Sequence, residues 1–403
     1  MKNAFIPYGH QSISESDVSK VSEVLRSEFL TSGPCVEKFE LEFADKVGAK
    51  FAIAVNSATA ALHLAMRVAG VKEGDRVITS PNTFLASANA AAYVGATPDF
   101  TDIDRVSHNL DPEELRGKWS TDIKAVVAVD YAGQPCDLPK IANIARANGA
   151  VVIEDACHGV GGGFEHNGKI WKIGGHEWAD ITVFSFHPVK TMTTGEGGML
   201  VTNNKIWVDE VRRLRSHGVE RREFFGLGAD QDKEMCEKGP WYYEMQSLGY
   251  NYRLPDILCA LGSSQLSRLE CFIARRREIV AQYNAGLSNI EWLTTPAVLH
   301  PGNKDLISWH LYTVEIDFPS IGKNRTEVMR ELRDEGIGTQ VLYIPVYLQP
   351  WYRAKFGYEL GKCPVAETHY RKSLSLPLYS SLTTEEVERV IMAIKALGKA
   401  RKI

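Results

Sequence analysis

Lys190 lies in ADITVFSFHPVKTMTTGEGGMLVTN, residues 179–203, between two apolar runs. Ile181 to Phe186 alternates and is rich in β-branched and aromatic residues, which suits a strand. A second strand is expected over Gly197 to Val201, after a Gly-Glu-Gly-Gly turn. Lys190 therefore falls on the connection. With Phe184, Phe186, His187 and Pro188 around it, its amine meets a semi-apolar wall that disfavours the charged form, as a carbonyl-attacking Schiff-base lysine requires. A solvated loop lysine is the bland alternative.

AVVIEDACH, residues 150–158, supplies the second group, because it reads as a buried parallel strand ending in carboxylates. Pyridoxal phosphate needs an acid at its ring nitrogen and a lysine at its aldehyde. Asp155 and Lys190 suit those two tasks. Read alone, Asp155 is as readily a helix N-cap after a strand.

The elements that must hold these groups follow from pattern. Ser14 opens a helical period with Asp17 at N3; LTSGP, residues 30–34, is a turn; a helix over Val36 to Val47 leads to a buried strand, Phe51 to Val55. Asn56-Ser57-Ala58-Thr59 then precedes an apolar helix, where free N–H groups and hydroxyls make an anion site as well as an ordinary cap. Residues 75–104 read strand, loop, helix, strand, a βαβ unit that requires a right-handed crossover and a parallel sheet. Phe84 stands after a strand C-terminus, where open α/β sheets bind ligands, although a lone Phe is more often core. The same alternation continues through KAVVAVDYAG and a helix near Leu138 to Asn148. Glu220 to Gln246 breaks the rhythm and reads as a long loop, with Trp241, Tyr242 and Tyr243 offering flat surfaces to a ligand ring or to a packing interface. From about Trp309 the chain alternates strands and helices in a smaller α+β unit. There is no GxxxxGK[ST] P-loop.

Composition limits the remaining classes. The 403 residues, 44% of them hydrophobic, can bury a large core. A net charge of -4 offers no general field for nucleic acid, so an anionic ligand must be held locally. Seven scattered cysteines without a CxxC pair argue for reduced thiols. No segment reaches the ~18 to 20 apolar residues of a membrane span, and the N-terminus lacks a signal peptide's apolar core. A cytoplasmic protein with no nucleic-acid or membrane partner is expected.

FSFHPVKTMTTGEGG, IEDACHGVG, NSATAALH, LTSGPCVEKFE, RSHGV and LGYNYRLPDILCALGSSQL together resemble the DegT/DnrJ/EryC1/StrS sugar aminotransferases, from Ile6 to about the last helix. VDYAGQP, SFHPVK and YIPVYLQP are most similar to members acting in pseudaminic acid biosynthesis. The resemblance implies pyridoxal 5′-phosphate and an α/β fold of type I, the aspartate aminotransferase-like architecture. A large, mixed, mostly parallel seven-stranded domain over 1–255 would be joined by a smaller α+β domain over 256–403. It implies transfer of an amino group from L-glutamate to the C4 ketone of a UDP-4-keto-6-deoxy-N-acetylhexosamine.

Residue by residue, the resemblance gives Lys190 and Asp155 the catalytic roles. It assigns Ser57, Ala58, Thr59 and Ser185 to the cofactor phosphate, Phe84 to its ring face and His158, where many members have Gln, to its 3-hydroxyl. Asn251 would reach the phosphate of the other subunit in a homodimer. Tyr8, Thr31, Ser32, Gly33, Trp241 and Arg253 are the expected substrate contacts, and no metal is expected. Histidine replaces the lysine in the family's sugar dehydratases, and Lys190 argues against that class. Another 4-keto nucleotide sugar is the nearest alternative substrate.

Overall fold

A computed structural model describes residues 4–221 and 240–398. Its main sheet takes β1 (Phe51–Val55), β2 (Arg76–Thr79), β3 (Thr97–Phe100), β4 (Ile123–Val129) and β5 (Val151–Asp155). After a short hairpin of β6 (Gly163–His166) and β7 (Lys169–Lys172), β8 (Ile181–Ser185) and β9 (Gly198–Thr202) complete it. The order is β1-β9-β8-β5-β4-β2-β3, and only the pairings made by β9 are antiparallel. This is the mixed, mostly parallel seven-stranded sheet that the family resemblance implies.

Both faces of the sheet are covered, which is why its strands are near-continuous apolar runs. Strand period 2 divides the side chains between the faces. Ile153 and Val183 pack with the helix Ala58–Val68, whereas Phe184 joins Phe39 and Phe43 on the other side. The same alternation separates the carboxylates ending β5. Glu154 turns to His176 and Thr182, and Asp155 turns to the helix Leu85–Tyr93.

Local signals were mostly literal. Ser14 and Asp17 form a capping box on the helix Glu15–Leu25. The next helix is Pro34–Val47, two residues longer than its apolar pattern, because Pro34 tolerates the first turn, where its missing N–H costs nothing. Most of the expected loop over 220–246, residues 222–239, lies outside the described residues; its flanks pair as β10 (Val219–Glu220) and β11 (Glu244–Met245).

Further along, β12 (Leu293–Thr294), β13 (Tyr312–Ile316) and β14 (Ser373–Leu376) form an antiparallel sheet. Its apolar core includes Ile279, Val314, Leu374 and Val390. Ile6 joins this core and bridges to Ile337, so the N-terminal segment is anchored to the C-terminal unit. Across from β13, His108 from the loop after β3 and His369 both hydrogen-bond Glu315 Oε1, at 3.4 and 2.8 Å. Burial alone would raise the Glu315 carboxyl, but these two imidazoles outweigh it and hold the group at about 2. A carboxyl depressed in the folded state stabilises it fully above its ordinary value near 4.5, and that contribution fades as pH falls toward 2. Glu315→Gln should therefore lower stability by roughly 1–3 kcal/mol at pH 7 and by much less near pH 3; urea unfolding at the two pH values checks this, and equal losses would exclude the ionised carboxylate as the cause.

Candidate active site

Asp155 is 4% exposed at the C-terminal end of β5. A carboxylate buried that far needs donors. Ser87 Oγ donates to Asp155 Oδ2 at 2.6 Å and Cys157 N–H to Oδ1 at 3.2 Å, while Thr83 Oγ1 and Ser87 Oγ are 2.7 Å apart. The capping alternative for Asp155 is thus replaced by a two-residue Asx-type turn. Ser87 and Thr83 were not singled out in the sequence. Thr83 precedes the N-cap Phe84 of an alanine-rich helix and Ser87 lies in its first turn, which brings the two hydroxyls together.

Lys190 occupies the β8–β9 connection, which folds back on its own strand. Thr194 N–H and Thr193 Oγ1 both donate to Phe186 O, at 3.0 and 2.9 Å, and Thr193 N–H reaches Gln265 Oε1 at 3.3 Å. Lys190 N–H itself donates to His187 O at 2.9 Å. Burial pushes the Lys190 amine below its ordinary value, and the nearby Cys157 and Asp155 oppose that shift. The amine and the Asp155 carboxylate therefore share one electrostatic environment.

Ser57 caps the helix Ala58–Val68, its Oγ accepting from Ala60 N–H at 3.1 Å. Ser57, Ala58 and Thr59 are only half-buried, so the dipole end of an 11-residue helix is open to an anion. The neighbouring strand comes very close here. A Cβ on Gly198 would stand 2.5 Å from Ala58 N. Ser185 ends β8 and is buried, with its hydroxyl accepting from His187 N–H at 3.5 Å.

His158 is buried, and its two ring nitrogens have different partners. Ala132 N–H donates to Nδ1 at 3.2 Å, and Nε2 lies 3.3 Å from the Tyr343 hydroxyl. Burial, then the Lys190 charge, holds the imidazole well below its ordinary value, so it is neutral. Phe84 is 58% exposed and tilted at 6.3 Å from the Tyr343 ring, an open ring face rather than core packing. Tyr343 also escaped the sequence reading, within GIGTQVLYIPVY.

The expected substrate contacts are distributed more widely. Ser32, Gly33 and Arg253 line one cavity of about 430 Å³ with Arg212 and Arg215. Gly33 cannot offer its N–H to a ligand there. That group donates to Asp256 Oδ2 at 2.7 Å, and a Cβ at Gly33 would meet Phe29 at 2.4 Å. Arg253 Nη1 donates to Ser216 Oγ at 3.1 Å. Thr31 is exposed outside this lining, as is Trp241 at 63% exposure. Tyr8 is half-buried; its carbonyl accepts from Leu378 N–H at 3.1 Å, and burial raises its phenol. Asn251 has an exposed side chain, and its carbonyl accepts from Asn56 Nδ2 at 3.3 Å.

The model of the DegT/DnrJ/EryC1/StrS aminotransferase family matches residues 11–395. The chain belongs to this family. It is 41% identical over 399 residues to the spore coat polysaccharide biosynthesis protein SpsC of Bacillus subtilis, covering 99% of this chain and 98% of that protein. It is 36% identical over 390 residues, 96% of this chain and 95% of the relative, to the UDP-4-amino-4,6-dideoxy-N-acetyl-beta-L-altrosamine transaminase of Campylobacter jejuni. Among solved structures, Helicobacter pylori PseC, an aminotransferase of pseudaminic acid biosynthesis, superposes with a TM-score of 0.85 at 29% identity, covering 98% of this chain and 99% of that one. The sugar aminotransferase Spr1654 of Streptococcus pneumoniae in its PLP form reaches 0.86 at 27% identity, with 98% of each chain covered. The protein is a sugar aminotransferase of fold type I, and its cofactor is pyridoxal 5′-phosphate.

The residues present fit that cofactor. A buried carboxylate, an amine lowered by burial and an open helix start are the three polar poles that a pyridine nitrogen, an aldehyde and a phosphate require. Ser87→Ala should leave the fold intact yet cut kcat by about tenfold, since one hydrogen bond to a charged group is worth roughly 1.5–3 kcal/mol. Steady-state kinetics beside a thermal melt would test this; unchanged kcat would show that Asp155 needs no help from Ser87.

Proposed function

We propose that this aminotransferase moves the amino group of L-glutamate to the C4 ketone of a UDP-2-acetamido-2,6-dideoxyhexos-4-ulose. The product would be UDP-4-amino-4,6-dideoxy-N-acetyl-β-L-altrosamine, used for pseudaminic acid. The observation carrying this reading is the end-to-end similarity to the Campylobacter transaminase, supported by the fit to PseC. When bound, pyridoxal phosphate supplies the electron sink that lets one amino group be carried between two substrates.

The protein's own residues do the rest. Asp155 holds the proton on the ring nitrogen. Lys190 removes the Cα proton of glutamate in the first half-reaction and returns a proton to sugar C4 in the second. Ser57, Ala58, Thr59 and Ser185 hold the phosphate, Phe84 covers the ring and His158 lies beside the ring oxygen. Ser32, Tyr8 and Arg253 face the nucleotide sugar, with Thr31 and Trp241 at its approach. Residues 1–255 carry the cofactor, and 256–403, including the linking helix, close the cleft. Among the described residues no helix is long and apolar enough to cross a membrane, which supports a cytoplasmic site of action.

A different 4-keto nucleotide sugar is the second reading, favoured by the 41% identity to a protein of spore coat polysaccharide biosynthesis. Incubation with glutamate and a panel of 4-keto nucleotide sugars, followed by mass spectrometry, separates the two. Preference for the UDP-N-acetylhexosamine substrate supports the first, and preference for a 4-keto pentose or a non-acetylated hexose removes it. Borohydride should trap the cofactor on Lys190, and Lys190→Ala should retain bound cofactor while losing turnover by more than ~1000-fold.

A homodimer with shared sites is part of the same proposal, because a phosphate dianion needs more donors than Ser57, Ala58, Thr59 and Ser185 provide. The exposed Asn251 side chain is free to reach a partner subunit. Mixing inactive Lys190→Ala with a severely impaired Asn251→Ala should then restore activity on subunit exchange, since each mixed dimer keeps one intact site. Exchange confirmed by mass with activity no higher than in the parents would return Asn251 to a structural role.

A further inference from the structure

Asn251 lies between two tyrosines whose side chains both turn inward. Extended backbone alternates its side chains between two sides, and this segment is bridged antiparallel to Ser216 at Asn251 and to Val55 at Arg253. Tyr250 and Tyr252 therefore share one side, where they pack against the core that includes the helix Ala58–Val68, and Asn251 is turned to the exposed one. The backbone is fixed on both sides of it. Tyr250 N–H donates to Leu214 O at 2.7 Å and Tyr252 N–H to Arg215 O at 3.0 Å, while the Tyr250 and Tyr252 carbonyls accept from His217 N–H and Asn56 N–H, both at 2.8 Å.

The inward side is a clamp. The two tyrosine rings stack 4.8 Å apart and 12° from parallel. His63 and Arg67, one helical turn apart on one face of Ala58–Val68, meet their two hydroxyls. His63 Nδ1 lies 3.1 Å from the Tyr252 hydroxyl, and Arg67 Nη1 donates to the Tyr250 hydroxyl. His63 is 7% exposed, and its ring also lies against Tyr250, with centroids 4.8 Å apart. Stacking alone lets two rings slide over one another, whereas a hydroxyl held at each fixes their position along the helix.

We propose that His63 and Arg67 are positioning residues for Asn251, acting through Tyr252 and Tyr250. The role rests on the shared-site reading, in which the Asn251 side chain reaches the cofactor phosphate of the partner subunit. The helix Ala58–Val68 then serves two phosphates, that of its own subunit at its open start and, through the tyrosines it holds, that of the partner. Asn56, whose N–H holds the Tyr252 carbonyl, stands directly before that start, so the outward side chain and the phosphate-binding turn are tied to the same backbone.

The test is a double-mutant cycle on the full-length protein stripped of cofactor, with the dissociation constant of pyridoxamine phosphate as the readout and a thermal melt beside it. That ligand makes no bond to Lys190, so its affinity reports non-covalent contacts alone. Asn251→Ala should weaken binding about tenfold, the scale of a hydrogen bond to a charged group. Tyr250→Phe/Tyr252→Phe keeps both rings and removes only their hydroxyls. It should weaken binding at least about threefold with Asn251 in place and by less than about 1.5-fold in the Asn251→Ala background. Arg67→Met, which keeps the stem and removes the donor, should weaken binding with the tyrosines intact and add nothing to the phenylalanine pair. Wild-type affinity in that pair, an equal loss in both Asn251 backgrounds, or a further loss when Arg67→Met is added to it would overturn the proposal and leave the clamp as packing. If Asn251→Ala itself leaves the affinity unchanged, the shared-site reading fails first and the proposal with it.

Discussion

A carboxylate at the end of a buried strand sets the terms for the rest of this structure. Asp155 is only 4% exposed, and burying a carboxylate that far is costly without donors and a positive neighbour. Those companions come from far apart in sequence. Ser87 belongs to the crossover helix after β2, Cys157 to the turn after β5, and Lys190 to the connection after β8. Parallel pairing of β5 with β8 brings two of these connections to the same edge of the sheet, the usual ligand-binding edge of open α/β folds. The charge therefore selects its neighbours, and the topology makes them available.

One residue earlier the same problem is solved without a ligand. Glu154 is fully buried on the opposite face, where Thr182 Oγ1 donates to it at 2.8 Å and His176 Nε2 lies 3.1 Å away. Asp130 stands nearby. Burial, then the adjacent Glu154, raises its carboxyl well above the ordinary range, so Asp130 is held protonated. Of the two carboxylates ending β5, Asp155 is the one that shares its surroundings with Lys190, and that asymmetry locates the site.

How much of this was legible follows from the range of each signal. Strand alternation and capping are local, so Phe51–Val55, the Ser14–Asp17 box and the positions of Lys190 and Asp155 could be read directly. Ser57 took up its capping role, and the helix start that it caps is half-buried. Gly33 shows the limit. Its place in LTSGP suggested a ligand contact, yet its N–H is spent on Asp256, more than two hundred residues away. Ser87 and Tyr343 were missed for the same reason: a serine in an alanine-rich helix and a tyrosine in a loop have no local pattern, and only the pairing of distant elements gives them partners.

The turn after β4 connects these long-range requirements. Ala132 adopts a left-handed φ of 58° and Gly133 one of 93°, a conformation costly for alanine and natural for glycine. A Cβ on Gly133 would fall 1.9 Å from Ser308 O, so the turn also presses against the segment that leads into β13. What the strained turn provides is direction. It aims Ala132 N–H at His158 Nδ1, and the adjacent Tyr131 hydroxyl donates to Leu342 O at 2.7 Å, one residue before Tyr343. A single turn therefore fixes the imidazole tautomer at one end and the backbone carrying the phenol at the other. His158 and Tyr343, 185 residues apart in the chain, are held in register by it.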